Sequence, residues 1–421
     1  MWFKNFLLYS KNEKLASVVW NMAGSIVSAF QSVVFLMILT RTVGLVQAGI
    51  FTIAYANANL FLNIGKYGMR CYQVSDVQEQ YSFKEYAYSR GITVVAMLAV
   101  SFVYTGYAAV TNGYSSEKFW IIIWMCFYKA ADAVEDVFCG NYQQKGRLDV
   151  ASKVLVIRTG ITVLVYAIGI VLLHNQLYAL VIATIISYVL MIWLLHDIAF
   201  FFRGNKETMQ IGQVIQLLKS CFPLFIGCFL SFYIGNAPKY AIDAQLSDEV
   251  QACYGFIAMP VFVIGMLNNF IFNPLLHKMA ILWGKRNISE FMRKILLQVG
   301  IIVIITIVCI IGAWLIGIPV LSWLYHTNLA PYKTEMLIIL AGGGFLGLSG
   351  MLNAMITVIR FQKSVAWGYS VVAVLAFLLS DSIVRMYGIM GAALMYTILM
   401  GGLSMCFGGM LIVGMYVKKY R

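Results

Sequence analysis

The chain is dominated by long, continuous apolar runs. About a dozen of them, each near the roughly 20 residues that a membrane-crossing helix needs, follow one another between Leu15 and Tyr416. The runs do not alternate polar with apolar, which excludes a transmembrane β-barrel. They also exclude a soluble fold. Of 421 residues 61% are hydrophobic and 11% charged, where soluble domains carry about 25% charged residues. An all-α polytopic membrane protein is predicted, with spans near 15–40, 44–65, 88–110, 118–140, 153–173, 177–201, 217–238, 250–275, 294–317, 335–359, 364–380 and 388–416.

The net charge of +13 would raise nucleic-acid binding in a soluble protein. Here the cations fall in the loops, so they set orientation and no nucleic-acid partner is expected. With the N-terminus inside, the outer segments hold only Arg41, Lys118, Lys239, Lys333 and Arg385. Lys129 and Arg158 lie inside spans. All other Lys and Arg fall on the inner side, Lys66, Arg70, Lys84, Arg90, Arg203 and Lys206 among them. Both termini are therefore expected in the cytoplasm. Met1–Lys14 shows no small-residue cleavage pattern, so no removable signal is expected.

The loops repeat. The longest inner loops, 66–87 and 276–293, each follow the second span of a six-span half. Each half has an outer loop between its third and fourth spans, at 111–117 and 318–334. Two similar six-helix lobes are expected, 1–210 and 211–421. Transporters built from repeats bind substrate at the repeat interface.

Polar side chains form stripes within the spans. Asn21, Ser25, Ser28 and Ser32 share one helix face, as do Thr52, Tyr55, Asn59 and Asn63. The seventh span carries Ser231, Tyr233, Asn236 and Lys239, and the eighth Asn268, Asn269 and Asn273. Each stripe alone could be inter-helix packing. Their gathering in the first two spans of both halves points to a shared polar cavity. Pro223, Pro238, Pro260 and Pro274 mark kinks or hinges in spans seven and eight. The glycine-rich run 342–350 reads as close helix packing.

The segment Tyr128–Gly160 is the strongest departure from the apolar pattern. Lys129, Asp132 and Asp136 share a face of the fourth span, with Glu135 beside it, and Arg158 lies in the antiparallel fifth span. Charges in a bilayer are costly and need partners or water. One reading is a neutralised lock, Lys129 with Asp132 and Asp136, Arg158 with Glu135. The other is a wet cavity whose cations meet an anionic headgroup, with the carboxylates as counter-charges. Arg41 and Lys239 occupy equivalent outer positions in the two halves. They are either interfacial cations or cavity ligands for lipid phosphate.

No catalytic or cofactor motif is present. The four His, at 174, 196, 277 and 326, lie at span ends without an HExxH pattern, and there is no P-loop. The eight Cys are scattered, mostly in apolar runs, and form no metal or disulfide framework. No enzyme activity, cofactor or metal site is expected. A glycan polymerase or O-acyltransferase would need a large outer loop or an intramembrane His or Asp centre.

Three stretches carry a family resemblance: TRTVGLVQAGIFTIAYANANLFLNIGKYGMRCYQVSD (40–76), the run from Asp132 through GNYQQKGRLDVASK (140–153) with Arg158, and PVLSWLYHTNLAPYK (319–333). They resemble the Wzx-like polysaccharide flippases of the multidrug/oligosaccharidyl-lipid/polysaccharide (MOP) exporter superfamily, over nearly the whole length. The resemblance implies about twelve transmembrane helices in two six-helix lobes, a MATE-like V-shaped bundle around a central cavity. It implies a flippase that moves a polyprenyl-diphosphate-linked oligosaccharide to the outer leaflet by alternating access, for surface polysaccharide biosynthesis. The setting is the bacterial cytoplasmic membrane, and polysaccharide assembly proteins are the expected partners. Arg41, Lys129, Arg158 and Lys239 become the candidate headgroup ligands. Asn21, Ser25, Asn59, Asp132, Glu135, Asp136 and Asn236 become cavity polar groups or counter-charges. Twelve spans distinguish the chain from lipid II flippases, which usually have two more. The alternative is a cation-coupled multidrug or metabolite antiporter of the same superfamily, using Asp132, Glu135 or Asp136 as the coupling carboxylate.

Overall fold

The computed structural model describes residues 2–76, 78–199, 209–272 and 275–419. Asn273, Pro274, Arg203 and Lys206 lie outside the described residues, as does the end of the sixth expected span. The described chain is helical throughout, with no strand. Its helices are α1 (Trp2–Leu8), α2 (Glu13–Thr42), α3 (Leu45–Lys66), α4 (Met69–Ser75), α5 (Phe83–Asn112), α6 (Ser116–Gln144), α7 (Leu148–Leu173) and α8 (Gln176–Ala199). They continue with α9 (Ile211–Gln245), α10 (Asp248–Ala258), α11 (Val261–Phe272), α12 (Leu276–Gly284), α13 (Ile288–Gly312), α14 (Ile318–Tyr325), α15 (Lys333–Val358) and α16 (Lys363–Lys419).

Ten helical stretches among the described residues are long and apolar enough to cross a membrane. The last of them is two helices joined at Gly388, whose φ of 58° and ψ of −137° break the helix. Only glycine tolerates that backbone without strain. α6 is excluded from the ten by Lys129, Asp132, Glu135 and Asp136, although it has 29 residues. With α6 counted and α16 divided, the helices match the twelve expected spans.

Local chemistry sets the ends. Ser82 and Glu85 form a capping box that starts α5, and Asn12 and Ser115 cap α2 and α6 through their side chains. His174 and His326 stop α7 and α14 in left-handed geometry, so two of the four histidines serve as helix terminators. Both long loops expected on the inner side, 66–87 and 276–293, contain a short helix, α4 in one and α12 in the other. The expected outer loop at 318–334 is instead largely helical. A π-helical turn at Ala313–Gly317 joins α13 to α14. The proline-rich spans differ from one another: α9 runs through Pro223 and Pro238, while the chain breaks between α10 and α11 at Pro260.

The chain forms two compact units, Met1–Phe229 and Leu230–Arg421. In the first, α6 is the centre and packs against α3, α4, α5, α7 and α8, while α2 lies along α7. In the second, α15 is the centre and packs against α16, α11 and α13. Its glycines each face a different neighbour. A Cβ on Gly342 would lie 2.6 Å from Tyr396, on Gly343 3.1 Å from Val261, and on Gly344 2.5 Å from Thr306. The run therefore serves packing, as its composition predicts.

Candidate functional site

α6 is buried on almost every side, so its charged residues meet protein and not lipid. Arg158 of α7 donates to Asp132 at 2.6 Å, to Glu135, and to Ser187 of α8 at 2.8 Å. Its side chain is 2% exposed, and it ties three helices together. Lys129 donates to Asp132 at 3.0 Å and to the Gln31 carbonyl at 3.3 Å. Its ammonium also lies 4.9 Å from the centre of the Tyr55 ring on α3. Gln31 donates to the Tyr128 hydroxyl, which bonds Thr162 at 3.2 Å. Two cations thus meet two carboxylates, and the polar groups around them are satisfied. A buried pair of this kind gains little net stability but is expensive to break.

The structure brings together Lys129, Asp132, Glu135 and Arg158. Asp136 corrects the sequence expectation, because it does not pair with Lys129. Seven residues of helix separate them by about 10.5 Å, and two closer cations intervene. Arg90 donates to Asp136 at 2.9 Å and Arg70 at 3.3 Å. Arg70 also holds Gln143, and Arg90 reaches the Gly65 carbonyl at the end of α3. Arg90, expected among the inner-loop cations, is 2% exposed and lies two turns inside α5. The capping box at Ser82–Glu85 was the signal that would have placed it there. Gln31 and Ser187 were missed too. Gln31 lies beside the Ser28–Ser32 stripe of its span but off its face, and Ser187 lies in a mostly apolar run without charge.

α3 carries the second component of the site. Beyond its first turn, nearly every residue is buried, except Tyr55, Asn59, Asn63, Ile64 and Lys66. The half-buried side of the helix is therefore, Ile64 apart, a polar stripe. Asn59 and Asn63 donate back to the carbonyls of Tyr55 and Asn59 at 2.8 and 2.9 Å. Tyr55 joins the stripe to Lys129, and Lys66 closes the stripe in the last turn of α3. Asp132, with its side chain 21% exposed, is the most open member of the charged cluster.

The remaining expected residues lie elsewhere. Asn21 and Ser25 are exposed on α2, where Ser25 bonds the Asn21 carbonyl. Arg41 is exposed in the last turn of α2. Asn236 and Lys239 are half-buried on α9 in the second unit.

A helical unit with a neutralised charge cluster beside a half-buried polar stripe has the ingredients of a transport path. A sequence model of polysaccharide biosynthesis proteins matches residues 15–279, more than half of the chain. The chain belongs to that family. No curated protein sequence matches it. Solved structures are similar over almost its full length. One is an inward-facing multidrug resistance MATE family transporter of the MOP superfamily, 12% identical over 97% of this chain and 99% of that one, with a TM-score of 0.67. Another is the lipid II flippase MurJ in an inward closed conformation, 13% identical over 96% and 92%, with a TM-score of 0.68. A third is a MOP superfamily transporter from Pyrococcus furiosus, 14% identical over 99% and 98%, with a TM-score of 0.55. At these identities the likeness concerns the fold. The chain is thus a multi-pass polysaccharide biosynthesis family protein with the fold of these MOP superfamily structures, in line with the sequence resemblance.

Proposed function

We propose that the protein flips a polyprenyl-diphosphate-linked oligosaccharide from the inner to the outer leaflet of a bacterial cytoplasmic membrane, by alternating access of two lobes. The observation that carries this reading is the polar stripe of α3. Many open faces of the other spans are apolar, for example Val95, Val103, Leu164 and Ile168, with the exposed Asn21 and Ser25 of α2 as polar exceptions. A stripe of Tyr55, Asn59, Asn63 and Lys66 is a poor match for hydrocarbon and a good one for water and sugar hydroxyls. The cations beside it suit a diphosphate.

In this reading Lys66, Lys129 and Arg41 meet the anionic headgroup in the first unit and Lys239 in the second. Arg158, with all three of its nitrogens engaged, positions Asp132 and Glu135. Those carboxylates keep Lys129 in place. The protein acts without catalysis, both termini are cytoplasmic, and polysaccharide assembly proteins are its partners.

The test is complementation. Expressed in a host lacking its own flippase, with matching glycosyltransferases supplied, the protein restores surface polymer. A Lys66→Glu, Arg41→Glu double variant inserts but restores none. Unchanged polymer in that variant would remove the cationic headgroup site from the account. Altered drug tolerance without polymer would favour the antiporter reading.

A further inference from the structure

The ammonium of Lys129 is held the way a free monovalent cation is held. It donates to Asp132 at 3.0 Å and to the Gln31 carbonyl at 3.3 Å. Two ring faces add to the shell, with the centre of Tyr55 4.9 Å away and that of Tyr128 5.7 Å away. Both lie within the ~6 Å reach of a cation–π contact. A carboxylate oxygen, an amide oxygen and aromatic faces are the groups that bind ammonium and alkylammonium ions away from water. Here they come from three helices: Gln31 from α2, Tyr55 from α3, and Tyr128 and Asp132 from α6. Gln31 and Lys129 are each 4% exposed. Gln31 is fixed in turn by donating to the Tyr128 hydroxyl, which bonds Thr162 of α7.

The same geometry leaves no place for a cation from solution. Asp132 gives one oxygen to Lys129 and the other to Arg158, and Glu135 faces Arg158. Two cations and two carboxylates already balance, so a further cation would bring uncompensated charge into a buried cluster. An antiporter that used Asp132 as its coupling carboxylate would need this place open. We propose that the cage of Gln31, Tyr55, Tyr128 and Asp132 is a monovalent-cation site whose ion is the protein's own Lys129, tethered where an exchangeable ion would otherwise bind. Asp132 therefore takes up and releases no cation from solution as the protein works. The inference goes beyond the flippase reading, because the site is defined without reference to the substrate.

The test replaces the tethered ion with a free one. Lys129→Ala removes an ammonium and the methylenes next to it, the equivalent of one propylammonium ion, and leaves Asp132 paired with Arg158. Thermal unfolding of the full-length, detergent-solubilised variant is followed with propylammonium, methylammonium or tetramethylammonium, and with no substrate. Propylammonium is expected to raise its unfolding temperature saturably, by about 2–4 °C. Methylammonium, which lacks the stem, requires a higher concentration, and tetramethylammonium, which has no N–H, has no effect. Wild-type protein does not respond, because its site is full. Lys129→Met, which fills the path of the stem, does not respond either. Adding Gln31→Leu to Lys129→Ala raises the half-effective propylammonium concentration by about tenfold, from the loss of a hydrogen bond to a charged group. If Lys129→Ala does not fold alone, its recovery from cells grown with propylammonium, and not with tetramethylammonium, gives the same reading. Absence of a propylammonium shift, an equal shift in wild-type protein, or recovery with neither ion overturns the proposal. A shift in the variant beside wild-type protein that flips no substrate would remove the flippase reading and leave the cation site standing.

Discussion

Arg158 of α7 and Asp132 of α6 lie 2.6 Å apart, nitrogen to oxygen, and this bond joins the buried half of the charged cluster to its open half. Arg158 is enclosed, with Glu135 and Ser187 on its other nitrogens. Asp132 is partly open and also holds Lys129. Position and charge at the α3 stripe therefore depend on an arginine that never reaches it.

Removing that arginine leaves two buried carboxylates short of a partner. Arg158→Ala is expected to destabilise the protein by about 3–5 kcal/mol. Arg158→Ala with Glu135→Ala recovers part of this loss, because the second change removes one stranded charge. Thermal unfolding of the detergent-solubilised variants measures both. A double variant no more stable than the single one would contradict the pairing.

The α3 stripe is expected to be wet. In a background without the native cysteines, Asn59→Cys and Asn63→Cys should react with a water-soluble thiol reagent. Val95→Cys and Val103→Cys, on open faces that are apolar, should resist it. Equal protection at all four positions would mean that the stripe packs against protein or lipid.

Much of this was legible in the sequence, and the reasons for the exceptions are local. The spans, and the pairing of Arg158 with Glu135 and of Lys129 with Asp132, follow from hydropathy and helical spacing alone. The pairing of Asp136 was not legible, because its partners Arg70 and Arg90 come from two segments far away in sequence. Arg90, at the start of the expected span 88–110, reads as an inner-side cation, but the capping box starts α5 at Phe83 and so places it two turns inside the helix. The π-helical turn leaves no hydropathy signal, since it lies within continuous apolar sequence, whereas the break at Gly388 was legible from Asp381 and Arg385 between the expected spans 364–380 and 388–416.

The GRLDVASK stretch has a structural duty. Lys153 donates to the carbonyls of Phe6 and Tyr9 at 2.8 and 3.2 Å and to the Ser10 hydroxyl at 3.0 Å. Arg147 holds the Leu8 carbonyl and pairs with Asp149 at 2.9 Å, and Ser10 donates to Asp149 at 2.6 Å. Lys153→Ala should release α1. Hydrogen exchange at residues 6–10 is expected to accelerate by about tenfold or more, from the loss of charged hydrogen bonds, while α7 keeps its protection. Unchanged exchange would show that Leu7, buried against α6, α7 and α8, suffices to hold α1.

Gly388 sits at φ 58° and ψ −137°, a conformation that strains any other residue. Gly388→Ala is expected to cost about 1–3 kcal/mol, read as a lowered unfolding temperature. Gly402, in a regular helix with nothing within 4 Å of an added Cβ, should accept alanine with no loss. Equal effects at the two positions would argue against backbone strain at the kink.

The central claim is that a diphosphate-linked glycan crosses the membrane past Lys66 and Lys129. The most direct measurement uses proteoliposomes loaded with a polyprenyl-diphosphate oligosaccharide and a membrane-impermeant reagent that modifies only headgroups on the outer face. The wild-type protein is expected to expose the inner pool over time. Lys66→Glu should slow this by about tenfold or more, the loss of one charge-assisted contact, with folding intact. An inner pool that stays protected with wild-type protein, or a rate unchanged by Lys66→Glu, would contradict the account.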